Sequence, residues 1–299
     1  MCRVMLASNE SRRRALKQMT MLSLTAMFSG LPVAQAGQSR RIVSIGGALT
    51  EIMYALQADG DLVGVDTTSL YPAIAQKLPS VGYARSLSIE GVLALAPTQV
   101  IATEDAGPPA VVRQLAAAGV PIAVLAANHR FEGLLERVKR VGELTGRTGQ
   151  AASLMRSLQQ DWLQVRAPIA ARSKAPIRVL FVLAHSPNQI MVAGRETSAQ
   201  AMLDYVGSNN AITSFTGYKP FTPEAVIAAQ ADVVLLTEQG VKASGGIDNV
   251  LKLPGIEQTP AGRHRRVIAL EAMFLLGFGP RLPIAVATLE SALTKAMQT

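Results

Sequence analysis

Two segments of this chain repeat one another. Leu87–Ala102 (LSIEGVLALAPTQVIA) and Phe221–Leu236 (FTPEAVIAAQADVVLL) align on Glu90 and Glu224. Each opens with an acid in a helix-like stretch and carries apolar residues two and three positions on. An Ala- or Leu-rich run follows, then a β-rich apolar strand. The two glutamates stand about half the mature length apart. A helix–strand unit written twice at that spacing restricts the fold to two similar lobes. A two-lobed protein ordinarily holds its ligand in the cleft between them.

The first residues read as an address. Ser11-Arg12-Arg13-Arg14-Ala15-Leu16-Lys17 is basic, Met19 to Val33 is moderately apolar, and Ala34-Gln35-Ala36 places small residues where a signal peptidase reads. The apolar run is too short and too interrupted for a membrane span. The expectation is an export signal over residues 1–36, cleaved near Ala36, with the periplasm as destination. SRRRALK resembles a twin-arginine signal with Ala15 where an aromatic is usual, so the general and twin-arginine routes both stay open. Cys2, the one cysteine, lies ahead of the apolar run and is not placed as a lipid anchor.

The formal charge of +8 comes partly from that leader, which holds five Lys/Arg and one Glu; the remainder carries +4. No basic block with interleaved aromatics remains, so nucleic acid is not an expected partner. Without a cysteine the mature chain has no disulfide and no thiolate metal site. No other segment is long and apolar enough to span a membrane.

Apolar strands alternate with helical stretches along the rest. Strands are expected at Arg41–Ile45, Asp61–Val65, Gln99–Ala102, Ile122–Leu125, Arg178–Leu183, Gln189–Val192 and Val267–Ala269. Helices are expected at Glu51–Leu56 (capped by Thr50), Leu87–Ala96, Pro108–Ala118, Phe131–Thr145, Ser198–Val206 (capped by Thr197) and Pro283–Met297. The alternation implies an α/β fold of mostly parallel sheet with helices on both faces. Ala151–Ala171 is the longest helical pattern and reads as a rigid strut about 30 Å long. The expected organisation is an N-terminal lobe over 37–148, a linking helix over 149–174 and a C-terminal lobe over 175–299, each lobe with its own core.

Enzyme chemistry finds little support. No G-x-S-x-G occurs, and His129, His185 and His264 are the only histidines. They are widely separated, without the spacing of a zinc site. His264 sits in a basic loop, while His129 and His185 follow apolar strands, where a parallel sheet puts ligand-facing loops. Gly46-Gly47 follows a strand, but neither nucleotide-binding glycine pattern is present, and the pair reads as a tight turn. Tyr83, in Val81-Gly82-Tyr83-Ala84-Arg85, is either a surface packing residue or a ligand. A phenolate binds ferric iron well, but a phenol is ordinarily protonated at neutral pH. Ligation therefore needs the metal's charge or a cation such as Arg85. Glu90 and Glu224 sit in first helical turns, where the helix dipole favours an acid; exposed at the tip of each lobe, they also suit a partner's arginines.

The leader, two lobes, central helix and twin glutamates together resemble the periplasmic solute-binding proteins of ABC importers for haem, cobalamin and ferric siderophores. Gly82-Tyr83-Ala84-Arg85 followed by Leu87–Leu95 is similar to the haem-binding branch, as are Val192–Thr197, Gly217–Pro220 and Gly240–Gly246. The resemblance covers nearly all of residues 40–299. It implies a non-enzymatic, monomeric protein that carries haem b (hemin) to an importer's transmembrane subunits. Tyr83 would be the axial iron ligand. Arg85, Arg195, Lys219, Tyr218, Lys242, His129 and His185 would be haem contacts, and Glu90 and Glu224 would dock on importer arginines. Some relatives set a second-lobe arginine against the phenolate. Here Glu238-Gln239-Gly240 stands at that place, which leaves Arg85, Arg195 or Lys242 as replacements. Some relatives also stack two haems. The same architecture with cobalamin or a ferric siderophore as ligand is the alternative.

Overall fold

Ile42–Ile45 (β1) is buried along its whole length, as a strand covered on both faces must be. In this computed structural model, which describes residues 40–171, 175–186, 189–220 and 222–298, β1 is an inner strand of the first sheet. Its neighbours are Leu62–Val65 (β2) and, past the two-residue strands Gly82–Tyr83 (β3) and Ser86–Leu87 (β4), Gln99–Thr103 (β5). Ile122–Leu125 (β6) completes the order β2-β1-β5-β6, and every pairing is parallel. The leader lies outside the described residues.

The second sheet starts with Arg178–Ser186 (β7). Gln189–Ala193 (β8) folds back antiparallel on it, Asn209–Asn210 (β9) pairs parallel, and Tyr218–Pro220 (β10) joins β8 antiparallel. Val233–Thr237 (β11) and Val267–Leu270 (β12) extend the parallel part in the order β7-β11-β12. The repeat read from the two glutamate segments is therefore a repeat of topology: β1-β5-β6 in one lobe corresponds to β7-β11-β12 in the other.

The helix Phe131–Thr145 ends at Gly146, whose φ of 70° is left-handed, and the linking helix Thr148–Ala170 begins two residues later. It starts three residues ahead of the expected Ala151 and carries Pro168 in its last turns. At 23 residues it is about 34 Å long. Trp162 on this helix stacks on Phe131 (centroids 4.6 Å apart, rings 2° from parallel) and meets Tyr205 edge-on at 4.6 Å. The Tyr205 hydroxyl accepts the Phe131 N–H at 2.8 Å. One tryptophan thus joins a first-lobe helix to Ser198–Tyr205 of the second.

Each lobe has a core of its own, and a third apolar cluster, not expected, joins them. A single apolar cluster runs from Ile42, Leu49 and Ile101 through Ala151 and Leu158 to Val179, Phe181, Leu235 and Leu289. Each sheet buries its other face in a cluster of its own, around Val43 and Val100 in the first lobe and Leu180 and Val234 in the second. An open sheet has two apolar faces; the inner pair is covered by the linking and C-terminal helices in common.

Two helix boundaries also differ. Thr50 is no cap: the helix spans Gly47–Ala55, and the Thr50 hydroxyl bonds to Ser44 and Ser69 inside it. The helix expected over Leu87–Ala96 is confined to Ile89–Leu93. Leu87 is already paired to Gly82 in the hairpin, Ser88 caps at Gly91 N, and Ala96 ahead of Pro97 takes a φ of 42°.

Candidate functional site

In a parallel sheet the side chains that meet a ligand come from the loops after the strands' carboxyl ends. The Gly46-Gly47 turn after β1 is one such place. A Cβ on Gly46 would lie 2.6 Å from the Thr103 methyl, and one on Gly47 2.3 Å from the Thr68 carbonyl oxygen. Glycine is what lets these strands close up. Their N–H groups are consumed internally, Gly46 N to Asp66 Oδ1 and Gly47 N to Thr68 Oγ1, both at 2.9 Å. Neither glycine N–H is therefore left to cradle a phosphate.

Tyr83 projects from the β3–β4 hairpin, not from an unstructured loop. Gly82 adopts a φ of 93°, and its carbonyl accepts Thr67 N at 2.9 Å. The hairpin is fastened to the loop after β5: Gly107 N donates to the Ala84 carbonyl at 2.9 Å, and Leu87 N to the Gly107 carbonyl at 2.8 Å. Its backbone is fixed while the Tyr83 side chain stays 43 % exposed. Arg85, in the turn of the same hairpin, pairs with Asp105 at 2.9 Å. Burial lowers the pKa of Arg85, but the Asp105 hydrogen bond, the nearby Tyr83, the Asp105 charge and Tyr218 more than reverse this. The Asp105 carboxyl, raised by burial, is brought below its ordinary value by hydrogen bonds from Thr103 and Arg85. Tyr218 belongs to β10 of the second lobe. Its hydroxyl lies 3.3 Å from Ser198 Oγ, and burial pushes its pKa up. Arg85 thus lies within electrostatic reach of Tyr83 in its own hairpin and of Tyr218 in the second lobe.

His129, after β6, rests on Phe278 with centroids 5.4 Å apart. Its imidazole is held below the ordinary value by burial and by Arg137, against the pull of Glu104 and Asp105. Arg137 is 3 % exposed and donates to the Phe278 carbonyl at 2.7 Å; desolvation lowers its pKa to about 10. Lys219 lies 4.9 Å from the Phe215 ring centroid, next to Tyr218. Arg195 is exposed, its backbone bonded to Phe215 and Gly217. Lys242 stands in the last turn of a short helix, Glu238–Ala243, which Thr237 caps through Gly240 N. Arg195, Lys219 and Lys242 form no ion pair among the described residues. His185 is the next-to-last residue of β7, and its side chain lies outside the described residues. His264 is exposed in the turn after Pro260–Arg263.

Glu90 and Glu224 occupy equivalent places. Both are exposed in first turns, and the hydroxyl two positions earlier caps each helix: Ser88 accepts Gly91 N at 3.2 Å, and Thr222 accepts Ala225 N at 3.3 Å. The Glu90 carboxyl is held below its ordinary value by its own N–H and by the Ser88 hydroxyl.

Asp105, Arg137 and the pair Glu51–Arg281 were not foreseen. Asp105 had a signal, an acid just past the carboxyl end of an apolar strand; the other two depend on contacts far apart in sequence. Among the described residues no group of three or more His, Cys, Asp or Glu converges on a metal position, and no helix is long and apolar enough to cross a membrane.

Comparison with known proteins agrees with this architecture. The family model for periplasmic binding proteins matches residues 42–273. The solved structure of the periplasmic heme-binding protein BhuT, in complex with two hemes, is 44 % identical, with a TM-score of 0.82 over 86 % of this chain and 98 % of that one. The heme-binding protein RhuT from Roseiflexus sp. RS-1, in apo form, is 40 % identical, with a TM-score of 0.83 over 86 % of this chain and 99 % of that one. A vitamin B12-binding protein of Vibrio parahaemolyticus is 24 % identical over 75 % of this chain and 80 % of its own length. Two α/β lobes and a single linking helix accord with those likenesses. The chain belongs to the periplasmic binding protein family, whose members bind solutes for ABC importers and are not enzymes.

Proposed function

We propose that this protein binds haem in the cleft between its lobes and delivers it to an ABC importer. The observation that carries the reading is Tyr83: a half-exposed phenol on a hairpin whose backbone is fastened on both sides, with a guanidinium beside it. Ferric iron is a hard cation that a phenolate suits. Arg195, Lys219 and Lys242 supply cations for propionates, Tyr218 closes the site from the second lobe, and His129 and His185 are further contacts. Two of the most similar solved structures are of heme-binding proteins, which supports the same cargo. Export into the periplasm by the leader, a monomeric state and docking of Glu90 and Glu224 on the importer complete the proposal. The direct test is titration of the mature apo-protein with hemin. A Soret band with a tyrosinate-to-iron charge-transfer band is expected, and Tyr83→Phe should lose the latter. An unchanged spectrum in that variant would overturn the ligand assignment.

The relatives named as vitamin B12-binding favour a second reading, with cobalamin in the same cleft. A corrin arrives with its metal already caged and needs no protein phenolate. Parallel titration with cyanocobalamin separates the two: saturable binding of the corrin with no Soret shift from hemin would select it.

A further inference from the structure

We infer that Asp105 is a positioning residue: it holds Arg85 at the turn of the Tyr83 hairpin, so that the positive charge near the phenol comes from the first lobe. The inference rests on the haem reading and deepens it. The loop after β5 grips the hairpin at three points. Two are backbone bonds on either side of the turn, Gly107 to Ala84 and Leu87 to Gly107. The third is Asp105 Oδ2, which takes both Nε and Nη2 of Arg85 at 2.9 Å. A long cationic side chain at a hairpin turn ordinarily samples many rotamers. Here one carboxylate selects the rotamer that keeps the guanidinium within electrostatic reach of both phenols. No arginine stands in Glu238-Gln239-Gly240 to do this from the second lobe; that lobe contributes the Tyr218 hydroxyl.

Magnitudes separate this role from a structural one. The Arg85 and Asp105 side chains are 64 % and 45 % exposed, and a pair so open to water adds little to folding. A macrocycle lying in the cleft would exclude water near the hairpin, where the guanidinium's charge would then act more strongly on the phenol. Asp105→Asn should therefore leave apo-protein thermal unfolding unchanged and act on the complex.

The experiment loads the mature protein with hemin and compares wild type, Asp105→Asn, Asp105→Glu, Arg85→Gln and the Asp105→Asn/Arg85→Gln double variant. Hemin transfer to excess apomyoglobin should be about fivefold faster in Asp105→Asn, the upper range for a partly exposed ion pair, and its tyrosinate-to-iron band should shift. Arg85→Gln should show the same changes and the double variant no more, because one pathway is removed twice. Asp105→Glu should restore both. Wild-type band position and transfer rate in Asp105→Asn, or fully additive effects in the double variant, would overturn the positioning role and leave haem binding standing. Failure of the wild type itself to give a Soret complex would end the haem reading and this inference together.

Discussion

Arg281, from the second lobe, grips Glu51, from the first, through two nitrogens: Nε lies 2.9 Å from Oε2, and Nη2 2.5 Å from Oε1. The Glu51 side chain is 4 % exposed. The Tyr71 and Phe274 rings lie 4.1 and 5.1 Å from the guanidinium, and Glu271 takes Nη2 at 3.1 Å. Burial holds the Glu51 carboxyl above the ordinary carboxylate value despite the hydrogen bonds and charge of Arg281. Removing one partner of such a pair strands a charge. Arg281→Ala should cost about 3 kcal/mol by urea unfolding, while Arg281→Met with Glu51→Gln should cost clearly less than the sum of the singles. Strict additivity in that cycle would show that the two residues do not act as a pair.

Trp162 gives a second handle on how the lobes are joined. It is the one tryptophan of the chain, packed against Phe131 of the first lobe and Tyr205 of the second, which are themselves hydrogen-bonded. With an apolar cluster continuous from Ile42 to Leu289, neither lobe can unfold without exposing part of the other's core. Urea unfolding should give coincident transitions by tryptophan fluorescence and far-UV circular dichroism, as for one cooperative unit. Trp162→Phe should shift that transition down as a whole, by about 1–2 kcal/mol. A two-step curve in the wild type would contradict the shared core.

Elements with a strong local pattern were legible from residues alone. Phe131–Thr145 is apolar at helical spacing and ends at a left-handed glycine, so both its bounds were readable. The Thr197 cap at Gln200 N and the matched first turns at Glu90 and Glu224 were readable for the same reason. What escaped depends on partners distant in sequence. Glu51 and Arg281 are 230 residues apart, and neither has a local reason to be noticed. The helix over Ile89–Leu93 is shorter than its apolar run because Leu87 is claimed by a strand that exists only when Gly107 fastens the hairpin. Thr50 looked like a cap because it precedes an apolar run, but Gly46-Gly47 can turn so tightly that the helix begins four residues earlier. In the site, the Tyr83 loop was visible as a motif; the carboxylate that orders Arg85 was not, since a lone Asp after a strand has many ordinary uses.

His129 carries a pH dependence whose sign follows from its surroundings. Burial, then Arg137, lowers its pKa below the ordinary histidine value, and Glu104 and Asp105 only partly offset this. The unfolded chain keeps the ordinary value, about 6.5. Between that value and the lower folded one, the unfolded state binds more protons, so stability rises with pH across this window. The contribution is complete above the unfolded value and is lost as pH falls through the folded one. Titration by NMR should place the His129 imidazole below free histidine, and His129→Gln should flatten the stability profile just below pH 6.5. A His129 midpoint at or above the free value would refute the assignment.

The matched glutamates give the last prediction. Glu90 and Glu224 lie in first helical turns of corresponding units, one in each lobe, both exposed and each preceded by a capping hydroxyl. A helix-dipole role alone would be worth a few tenths of a kcal/mol and would make each glutamate a minor stability determinant. A docking role makes a different demand, because an importer with arginines at two places needs both carboxylates at once. Two linked contacts multiply their effects through effective concentration. Glu90→Ala or Glu224→Ala should leave hemin titration and thermal unfolding nearly unchanged. Each should weaken binding to the reconstituted importer about tenfold, with most of the salt sensitivity lost in the double variant. Importer-stimulated ATP hydrolysis, measured against binding-protein concentration, reads this directly. Wild-type stimulation by the double variant would confine the two acids to the helix ends they cap.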